Sequence, residues 1–501
     1  MPGGLIAAFD IGTTAAKGTL IDRDRGIVHE GTQAYGMAHR AGGLVEQEPG
    51  DWWGAVEGLT RALGRAGWEP HSVEAAALTG QMQDVVVVDR EGLAVGPAIL
   101  YSDARAVDQA VAIRARLREH GASDDDLTFV DGTDPIAKLV WARERAPGRL
   151  TGCAGVLFGA KDYVLVRLTG VRATDATTAA TTCLFSPRTR AWRAEWVQAL
   201  DLPSRWLPTI VAADAVAGVV SRDGAQATGP PVGVPVYGGR GDAAAATLSA
   251  GLTAPGAAYL YLGTTGWAAS VARAVGPGGA GVRHLPYVVG DDVIRIAPVL
   301  NAGGAYQWIV QLLAGEEHAG VEGAAVDYAR FEHLQENTPG RSGGAVFLPY
   351  LYGERCPVQE PRAMGAFVHL GAATSRGALG WAALEGICFS LRQVLETLGS
   401  STPTVRVLGG MARGALVRQL LADVCGVRIR VAPAPSAAGA LAAAVPVAVA
   451  RGWFADIPAA VEAWFDKEAT DVTEPSPSRM AHYAALYETY RQVYPQVAQI
   501  G

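Results

Sequence analysis

The alternation of apolar and polar segments at the start of the chain predicts three strands joined by short turns. Leu5–Phe9 is an uninterrupted apolar run, and Lys17–Asp22 and Ile27–Glu30 are two further runs of strand length around the polar turn Arg23–Gly26. Short apolar or β-branched runs between Gly, Asp and other turn residues are typical of strands. We therefore predict a β-meander at the N terminus.

The pattern then alternates between helical and extended segments. Glu48–Asp51 supplies capping and turn residues ahead of an amphipathic stretch, which predicts a helix beginning at Trp52. Val73–Leu78 and Val85–Asp89 predict two more strands, and the charged segment from Ser102 to Arg118 predicts a helix. Strands that alternate with helices in this way indicate α/β layers rather than a helical bundle or a β-sandwich.

The second half of the chain repeats this style. Ala257–Leu262 and Trp267–Val271 predict a strand pair like the one at the N terminus. Val405–Leu408 predicts a strand that ends at a Gly pair, and a helix is expected over Ala412–Val424. The Gly- and Pro-rich stretch Gly218–Pro235 precedes a lobe boundary that we expect near Gly251–Gly256. The prediction is a first lobe at residues 1–250 and a second lobe at residues 251–501.

One segment is apolar enough to raise the question of a membrane span. Val431–Ala450 carries no charge over its length, but it consists mostly of Ala and is interrupted by Pro433, Pro435, Gly439 and Pro446. Insertion into lipid is driven by large apolar side chains, of which this segment has few. We predict a buried, closely packed helix and no interaction with a membrane.

The same short polar phrase follows a strand in each half of the chain. Asp10–Thr14 follows the first predicted strand, and Leu262–Gly266 ends the strand that opens the second half. A Gly allows the backbone to approach a polyanion, while neighbouring N–H groups and Thr hydroxyls donate hydrogen bonds. Two such loops predict two related lobes that hold one polyphosphate from opposite sides, and only the first loop carries an Asp.

Composition and charge exclude further classes of function. The 501 residues carry a net charge of −7, with 49% hydrophobic and 18% charged residues. An acidic chain without basic clusters is not expected to bind nucleic acid. The five cysteines are scattered singly, and the segment Met1–Leu5 lacks the basic region of a signal peptide. We therefore expect reduced thiols and a cytoplasmic protein.

Seven segments resemble, in the same order, the FGGY family of carbohydrate kinases: Ala8–Thr14, Pro135–Trp141, Lys161–Asp175, Gly238–Asp242, Leu262–Trp267, Phe347–Pro357 and Leu408–Arg413. That family belongs to the actin-like superfamily of duplicated ribonuclease-H-like ATPases. The resemblance implies an α/β fold of two actin-like lobes with an interlobe cleft. It also implies transfer of the γ-phosphate of ATP to a sugar hydroxyl.

The resemblance and the repeated loop together predict the ATP and magnesium sites. Asp10 is expected to hold Mg²⁺, because a hard cation prefers carboxylate and water oxygens. Asp242 is expected to act as the general base and as a second metal ligand. A strand-ending turn and a helix N-cap are the alternative structural explanations for these two acids. The residues expected to contact ATP are Gly12, Thr13, Thr14, Lys17, Gly263, Thr264, Thr265, Gly303, Gly409, Gly410 and Met411.

Within the family, Gly80–Met82 and Ala98–Arg105 resemble xylulokinases, which implies D-xylulose as the substrate and D-xylulose 5-phosphate as the product. The expected sugar-binding residues are Gln81, Met82, Gln83, Asp103, Arg105 and Asp242. Gln83-Asp84 replaces the usual His-Gly, and Ala243 replaces Asn or Gln. Another ketose such as ribulose, a polyol such as glycerol, or a sugar acid such as gluconate therefore stays open. An inward-facing Asp84 would disfavour the sugar acid by charge repulsion.

Other classes of protein are less consistent with the sequence. The chain has no G-x-x-x-x-G-K-[ST] phrase and no H-R-D or D-F-G set, which excludes P-loop kinases and protein kinases. A filament or chaperone ATPase of the actin-like superfamily would keep the two loops without needing Asp242. An ATP-binding regulator without turnover is a third alternative, which intact Asp10 and Asp242 oppose. The expected partners are ATP and the sugar, and the resemblance also implies a homodimer.

Overall fold

The computed structural model describes residues 4–40, 43–65, 69–276, 281–314, 327–360, 362–432, 437–466 and 472–499. Strands of the first half are β1 Leu5–Ile11, β2 Ala15–Asp22, β3 Gly26–Ala34, β4 Ala38–Arg40, β5 Leu44–Gln47, β6 Val73–Gly80, β7 Met82–Val88, β8 Ala98–Ile99, β9 Gly155–Gly159, β10 Ala173–Thr174, β11 Phe185–Ser186, β12 Ala191–Trp192, β13 Thr209–Ile210, β14 Val216–Val219, β15 Pro235–Tyr237 and β16 Arg240–Gly241. Its helices are α1 Pro49–Arg65, α2 Val107–Glu119, α3 Asp124–Leu127, α4 Pro135–Arg145, α5 Ala160–Thr169, α6 Ala176–Ala179, α7 Ala194–Ala199, α8 Arg222–Thr228 and α9 Asp242–Ser249.

The second half contributes a second set of elements. Its strands are β17 Ala258–Leu262, β18 Gly266–Ala272, β19 Arg283–Pro286, β20 Val293–Val299, β21 Val346–Leu348, β22 Ala366–Val368, β23 Thr404–Leu408, β24 Arg428–Val431 and β25 Val472–Thr473. Its helices are α10 Gly303–Ala314, α11 Tyr328–Glu336, α12 Arg376–Thr397, α13 Ala415–Cys425, α14 Ala438–Ala450, α15 Ile457–Val461 and α16 Pro477–Val497.

Two large mixed sheets share one design. In the first sheet the strand order is β14-β15-β6-β1-β2-β3, and β16 also pairs with β6; in the second it is β19-β20-β18-β17-β23-β24-β25. The first strand of each half, β1 or β17, pairs antiparallel with the next strand along the chain and parallel with a later one, β6 or β23. This repetition confirms the predicted α/β fold with two related halves.

Helices α9 and α14 lie between the two sheets. Their small side chains join one buried cluster with Ile6 and Ala8 of the first sheet and with Tyr259 and Ala269 of the second. Residues 440–448 of α14 are buried, which confirms the prediction of a packed helix in that apolar segment; residues 433–436 of the segment lie outside the described residues. No helix in the described part of the chain is long and apolar enough to cross a membrane.

Helix α14 comes from the second half of the sequence yet packs on β1 and β6 of the first sheet. Helix α9 comes from the first half, and its Thr247 hydroxyl lies 3.3 Å from the Tyr259 hydroxyl of the second sheet. Ser249 of α9 also donates to the Ala438 carbonyl at 3.1 Å, which joins the two helices directly. The lobe boundary near residue 250 stays a prediction, because each half covers part of the other.

Two predicted helices begin later than the sequence suggested. The expected helix from Ser102 begins at Val107, because the chain before it is fixed by bonds between Asp103, Arg105 and their neighbours. Where a helix was expected from Ala412, a short 3₁₀ turn over Gly410–Arg413 ends at the extended residue Gly414, and α13 begins separately at Ala415. Both differences arise from loop contacts that hydrophobic periodicity does not report.

Candidate functional site

The first polar loop is a tight connection between β1 and β2. The Gly12 N–H donates to the Ala15 carbonyl at 3.1 Å, and the Tyr35 hydroxyl donates to the Gly12 carbonyl. The Gln47 amide donates to the Thr13 carbonyl at 2.7 Å. These bonds fix the backbone of the loop while the Thr14 side chain stays exposed. The loop therefore presents its hydroxyls on a rigid support.

Asp10, Thr79 and Arg240 form one row across three adjacent strands. Asp10 of β1 is level with Thr79 of β6, and Thr79 is level with Arg240 of β16. On the other side, Asp10 is level with Lys17 of β2. The row places the end of β16, and Asp242 just beyond it, on the same edge of the sheet as the first loop.

Two carboxyl groups, those of Asp10 and Asp242, influence each other at this edge. Burial and, to a smaller extent, the charge of Asp10 together raise the pKa of Asp242 to about 7. Burial also raises the pKa of Asp10, against the opposing charge of Lys17. The Asp242 side chain nevertheless opens to solvent in the cleft. Two crowded oxygen donors of like charge form a set that fits a hard divalent cation.

Asp242 is not an N-cap residue. It is the first residue of α9, and Gly241 takes the cap position without any side-chain bond. The cap position therefore falls on Gly241, although the Asp242 carboxylate still accepts from the Ala243 N–H at the start of the helix. The carboxylate remains at the positive end of the helix, a position that favours negative charge on the carboxylate and on a nearby phosphate.

The second polar loop meets two glycine segments. The Gly303 N–H donates to the Gly263 carbonyl at 2.9 Å, and a Cβ at Gly303 would lie 2.3 Å from that oxygen. Gly409 has a φ of 100°, and a Cβ there would lie 2.5 Å from the Leu262 carbonyl oxygen. The structure thus brings together the three segments of the second half that were expected to contact ATP, with Thr264 and Thr265 exposed beside them. The Met411 side chain is buried next to Gly410.

A chain of amides links the expected sugar side to the first loop. The Gln81 amide donates to the Gln47 side-chain carbonyl at 2.9 Å, and Gln47 in turn donates to the Thr13 carbonyl. Gln81 is 1% exposed, and its own Oε1 has no partner among the described residues. A ligand donor that reached this orphaned acceptor would complete its hydrogen bonding.

Met82 and Gln83 lie beside the loop that carries Asp242. Met82 packs so closely on Gly241 that a Cβ on that Gly would lie 1.8 Å from the Met82 sulfur. Gln83 has a φ of 68°, a left-handed backbone conformation that costs free energy for a residue with a side chain. Its amide approaches the Thr133 hydroxyl at 3.4 Å. Strain of this kind is frequent at ligand sites.

Asp84 points into the protein rather than toward solvent. It is fully buried, its Oδ1 accepts from the Tyr101 N–H at 3.1 Å, and its Oδ2 has no partner among the described residues. Burial raises the pKa of Asp84 well above its usual range, although the charge of Lys138 opposes this. Lys138 donates to the Leu100 carbonyl at 2.6 Å. A carboxyl that tends to stay neutral does not repel a sugar acid strongly.

Asp103 and Arg105 bind mainly to each other. The Asp103 carboxylate accepts from the Val45 N–H at 2.6 Å and from two nitrogens of the Arg105 guanidinium at 2.8 and 2.6 Å. Arg105 also pairs with Glu46 at 2.8 Å and lies over the Trp141 ring. These saturated contacts favour a supporting role at the wall of the site over direct contact with sugar.

A buried triad lies beneath the loop that leads to Asp242. The Lys161 ammonium contacts Asp162 at 2.5 Å and Asp175 at 3.0 Å, and it lies 3.4 Å from the Gly238 carbonyl. Asp175 also accepts from the backbone N–H groups of Thr177 and Thr178 at the start of α6. The triad holds the backbone just upstream of Asp242.

Protein-family models match both halves of the chain. Models of the N-terminal and C-terminal domains of the FGGY family of carbohydrate kinases match residues 5–249 and 289–451. The chain belongs to the FGGY family of carbohydrate kinases. FGGY kinases use ATP, and their substrates are carbohydrates.

The chain is similar to FGGY kinases of different substrate names. Xylulose kinase of Escherichia coli (strain K12) is 28% identical over 497 residues, 98% of each chain. Glycerol kinase of Citrifermentans bemidjiense is 28% identical over 439 residues, 85% of this chain and 86% of that one. Crystal structures of a gluconate kinase and of a ligand-bound xylulose kinase, both from Lactobacillus acidophilus, superpose with TM-scores of 0.88 and 0.87 at 24% identity, each covering 99% of this chain and 98% of the other.

Several residues near the FGGY site were not expected from the sequence as site residues. Gln47 supports the first polar loop, and Lys161 and Asp175 support the loop that leads to Asp242. Gly439 of α14 touches Asp10 directly: a Cβ there would lie 2.2 Å from its Oδ2. The motif that contains Lys161 and Asp175 was visible as part of the family resemblance. Gln47 and Gly439 gave no signal, because single residues in unremarkable segments do not reveal a long-range contact.

Proposed function

We propose that this FGGY kinase transfers the γ-phosphate of ATP to a hydroxyl of D-xylulose, giving D-xylulose 5-phosphate. The observation that carries the transfer step is the approach of the Asp10 and Asp242 carboxyl groups to each other at the edge of the first sheet, beside the first polar loop. A sugar hydroxyl beside Asp242 would lie at the N-terminus of α9, where negative charge is favoured.

In the proposed reaction Asp242 acts as the general base. Its carboxylate orients the sugar O–H and accepts the proton as the new O–P bond forms and the bond from the γ-phosphorus to the β-phosphate bridging oxygen breaks. Asp10 and Asp242 are the proposed Mg²⁺ ligands, and a cation bound there would neutralise charge on the terminal phosphates. Among the described residues no group of three or more acidic, His or Cys side chains could hold a metal alone. Two carboxylates suffice where phosphates and water complete the coordination.

The proposed ATP contacts come from both halves of the chain. Gly12, Thr13, Thr14 and Lys17 would contact the terminal phosphates from the first half, and Gly263, Thr264 and Thr265 would do so from the second. Gly303, Gly409, Gly410 and Met411 would border the remainder of the nucleotide. Support comes from the contacts of Gly303 and Gly409 with the second loop and from the exposure of its two Thr side chains.

Support for xylulose comes from the full-length similarity to the E. coli xylulose kinase. Gluconate is the second candidate, because burial favours the neutral form of Asp84 and weakens the expected repulsion of a sugar acid. Gln81, Met82 and Gln83 are the proposed sugar contacts. A panel of D-xylulose, D-ribulose, glycerol and gluconate, read by ADP release, tests the assignment. A kcat/KM for gluconate above that for D-xylulose would overturn it.

Asp242→Asn tests the transfer step. We expect kcat to fall by about 10²- to 10⁴-fold, because that is the usual contribution of a positioned general base. ADP binding should change little. Asp223→Asn is the matched control, since Asp223 also lies in the first turn of a helix, α8, at an exposed position outside the site. Normal turnover in Asp242→Asn would contradict the assignment. The homodimer and the cytoplasmic location stay predictions.

A further inference from the structure

A cavity lies where the two halves of the chain meet, apart from the proposed catalytic residues. Its volume is about 400 Å³, and none of the residues proposed for ATP, sugar or metal lines it. One wall comes from the segment around β11 and β12 in the first half, and the facing wall comes from β19 of the second sheet. A molecule in this cavity would touch both halves.

Basic groups converge on the cavity from both walls. Arg188 and Arg193 line it from the first half, and Arg283 and His284 line it from β19. Two acids also line it, Asp125 and Asp126. The lining therefore carries one excess positive charge on a chain whose net charge is −7.

The acids leave most of this positive charge available. Asp126 already accepts from the Arg193 guanidinium at 2.7 Å and from the Ser123 hydroxyl at 2.6 Å, and Asp125 is exposed to solvent. Arg188 has no hydrogen bond or ion pair to any described residue. The Nε of Arg193 is buried without an acceptor in the same part of the chain.

His284 gives the strongest indication of a ligand. Its side chain is 9% exposed, and its buried Nε2 has no hydrogen-bond partner among the described residues. That nitrogen faces the cavity-lining Gly276, where a Cβ would lie 3.7 Å from it. A buried polar atom without a partner loses the free energy of a hydrogen bond unless a water or ligand supplies one. Burial lowers the pKa of His284 to about 4, so the ring is neutral at pH 7 and can donate through one nitrogen.

Contacts with the protein hold the Arg283 side chain at the cavity wall, where it can bind a ligand. Its Nη1 donates to the Thr181 carbonyl at 3.0 Å, and its guanidinium lies 4.4 Å from the centre of the Phe129 ring. One donor is used and the plane is fixed, which leaves further N–H groups for a ligand. Asp134 lies within electrostatic range of Arg283 outside the cavity lining.

We propose that this cavity binds a small phosphate monoester between the two halves of the chain. Four donor side chains from two sequence segments, one on each wall, approach one space, an arrangement that suits the three terminal oxygens of a tetrahedral phosphate better than the two of a planar carboxylate. The volume accommodates a phosphate ester the size of a small sugar. No residue proposed for catalysis takes part, so the inference stands apart from the proposed function.

Calorimetric titration with glycerol 3-phosphate tests the proposal. Arg188→Gln and His284→Leu should each weaken binding by about tenfold, because the first removes a charged donor and the second removes a hydrogen bond to a charged ligand. Arg188 is exposed, so its replacement should leave folding and basal kinase activity unchanged. Arg222→Gln, at another exposed Arg, and Asp242→Asn, in the catalytic cleft, should bind the probe with unchanged affinity.

The controls separate this cavity from the catalytic cleft. Neutral glycerol should produce no binding signal at the cavity, and acetate should bind more weakly than glycerol 3-phosphate. Equal affinity in the wild type and in both cavity variants would overturn the proposal, as would the absence of any binding in the wild type. Loss of binding only in Asp242→Asn would assign the anion to the catalytic cleft and would overturn it too. Acetate binding as tight as that of the phosphate ester would show a carboxylate site instead.

Discussion

At the scale of single residues, charged side chains buried beneath the site hold in place the loop that carries its solvent-exposed residues. Lys161 is 1% exposed and sits between two buried carboxylates, those of Asp162 and Asp175. Burial raises the pKa of Asp162, and the nearby ammonium opposes that rise. The two acids and the cation are therefore stable only as a group, because an unpaired charge in the interior is costly.

Lys161→Met should destabilise the fold by about 3–5 kcal/mol, the usual cost of breaking a buried ion pair from one side. Urea unfolding monitored by circular dichroism measures the change. The double variant Lys161→Met with Asp162→Asn should recover part of the loss, because it removes one of the two uncompensated acids. A double variant less stable than Lys161→Met alone would contradict this account.

Sequence patterns identified site residues that belong to motifs. They missed residues that reach the site only through contacts between distant parts of the chain. Asp10 was predicted because it ends a strand beside the first polar loop, and Asp242 because its loop resembles the family's catalytic-Asp loop; the structure places the two in electrostatic contact. Asp103 and Arg105 were predicted as sugar ligands from the same kind of motif, but their bonds to each other appear only in three dimensions. The roles of all these residues are proposals, and Asp242→Asn tests that of Asp242.

At the scale of elements, the N-terminal turn of α14 acts as a close support for Asp10. The Gly439 Cα faces the Asp10 carboxyl, and an added Cβ would lie 2.2 Å from Oδ2, well inside contact distance. The position therefore requires Gly for a steric reason that has nothing to do with a left-handed backbone.

Gly439→Ala should reduce turnover without a matching loss of stability. The Asp10 carboxyl must move to avoid the new methyl group, and a displacement of about 1 Å in a reacting site can cost about a hundredfold in rate. Ala is favoured over Gly in a helix by about 1 kcal/mol, which offsets the local strain. Steady-state kinetics and thermal melting measure the two effects. Gly54→Ala in α1 is the control, because its added Cβ would meet nothing within 4 Å; equal rates in both variants would refute the expectation.

Helix α12 carries a buried acid that makes stability depend on pH. Burial raises the pKa of Glu385 to about 7, while bonds from Ser342 and Tyr483 and the charge of Arg341 oppose the rise. The folded state then holds the proton more tightly than the unfolded state does. The stability contribution is complete below pH 4.5 and is lost as the pH rises to about 7.

Glu385→Gln should remove this dependence. Relative to the wild type, the variant should gain about 3 kcal/mol in the free energy of unfolding between pH 5 and pH 8. Denaturant unfolding at the two pH values measures it. Glu336→Gln, at an exposed position on α11, should show no such gain. A variant that tracks the wild type at both pH values would show that Glu385 does not titrate in this range.

The elements themselves were largely predictable, and their ends were not. The opening meander and the strand before each polar loop follow from apolar runs bounded by turn residues, and the apolar helix α14 follows from its uncharged, Ala-rich composition. The start of α2 at Val107 does not, because side-chain bonds of Asp103 hold the preceding residues outside the helix.

At the scale of the whole molecule, the polar loops of both halves are open to solvent. Thr14, Asp242, Thr264 and Thr265 are all exposed, although phosphoryl transfer requires water to be kept away from the γ-phosphate. We expect the halves to close on the bound substrates. Small-angle X-ray scattering should show a smaller radius of gyration with nucleotide and sugar together than with either alone. An unchanged radius with both ligands present would count against closure.

The position of α14 has a consequence for synthesis on the ribosome. The inner face of β1 and β6, lined by Ile6, Ala8, Ala75 and Ala77, is covered by a helix that is translated near the end of the chain. During most of translation this face has no native covering, and exposed apolar sheet surface promotes aggregation. The N-terminal half released by itself should therefore depend on a chaperone, and supplying residues 251–501 as a separate chain should restore its solubility by delivering the missing helix.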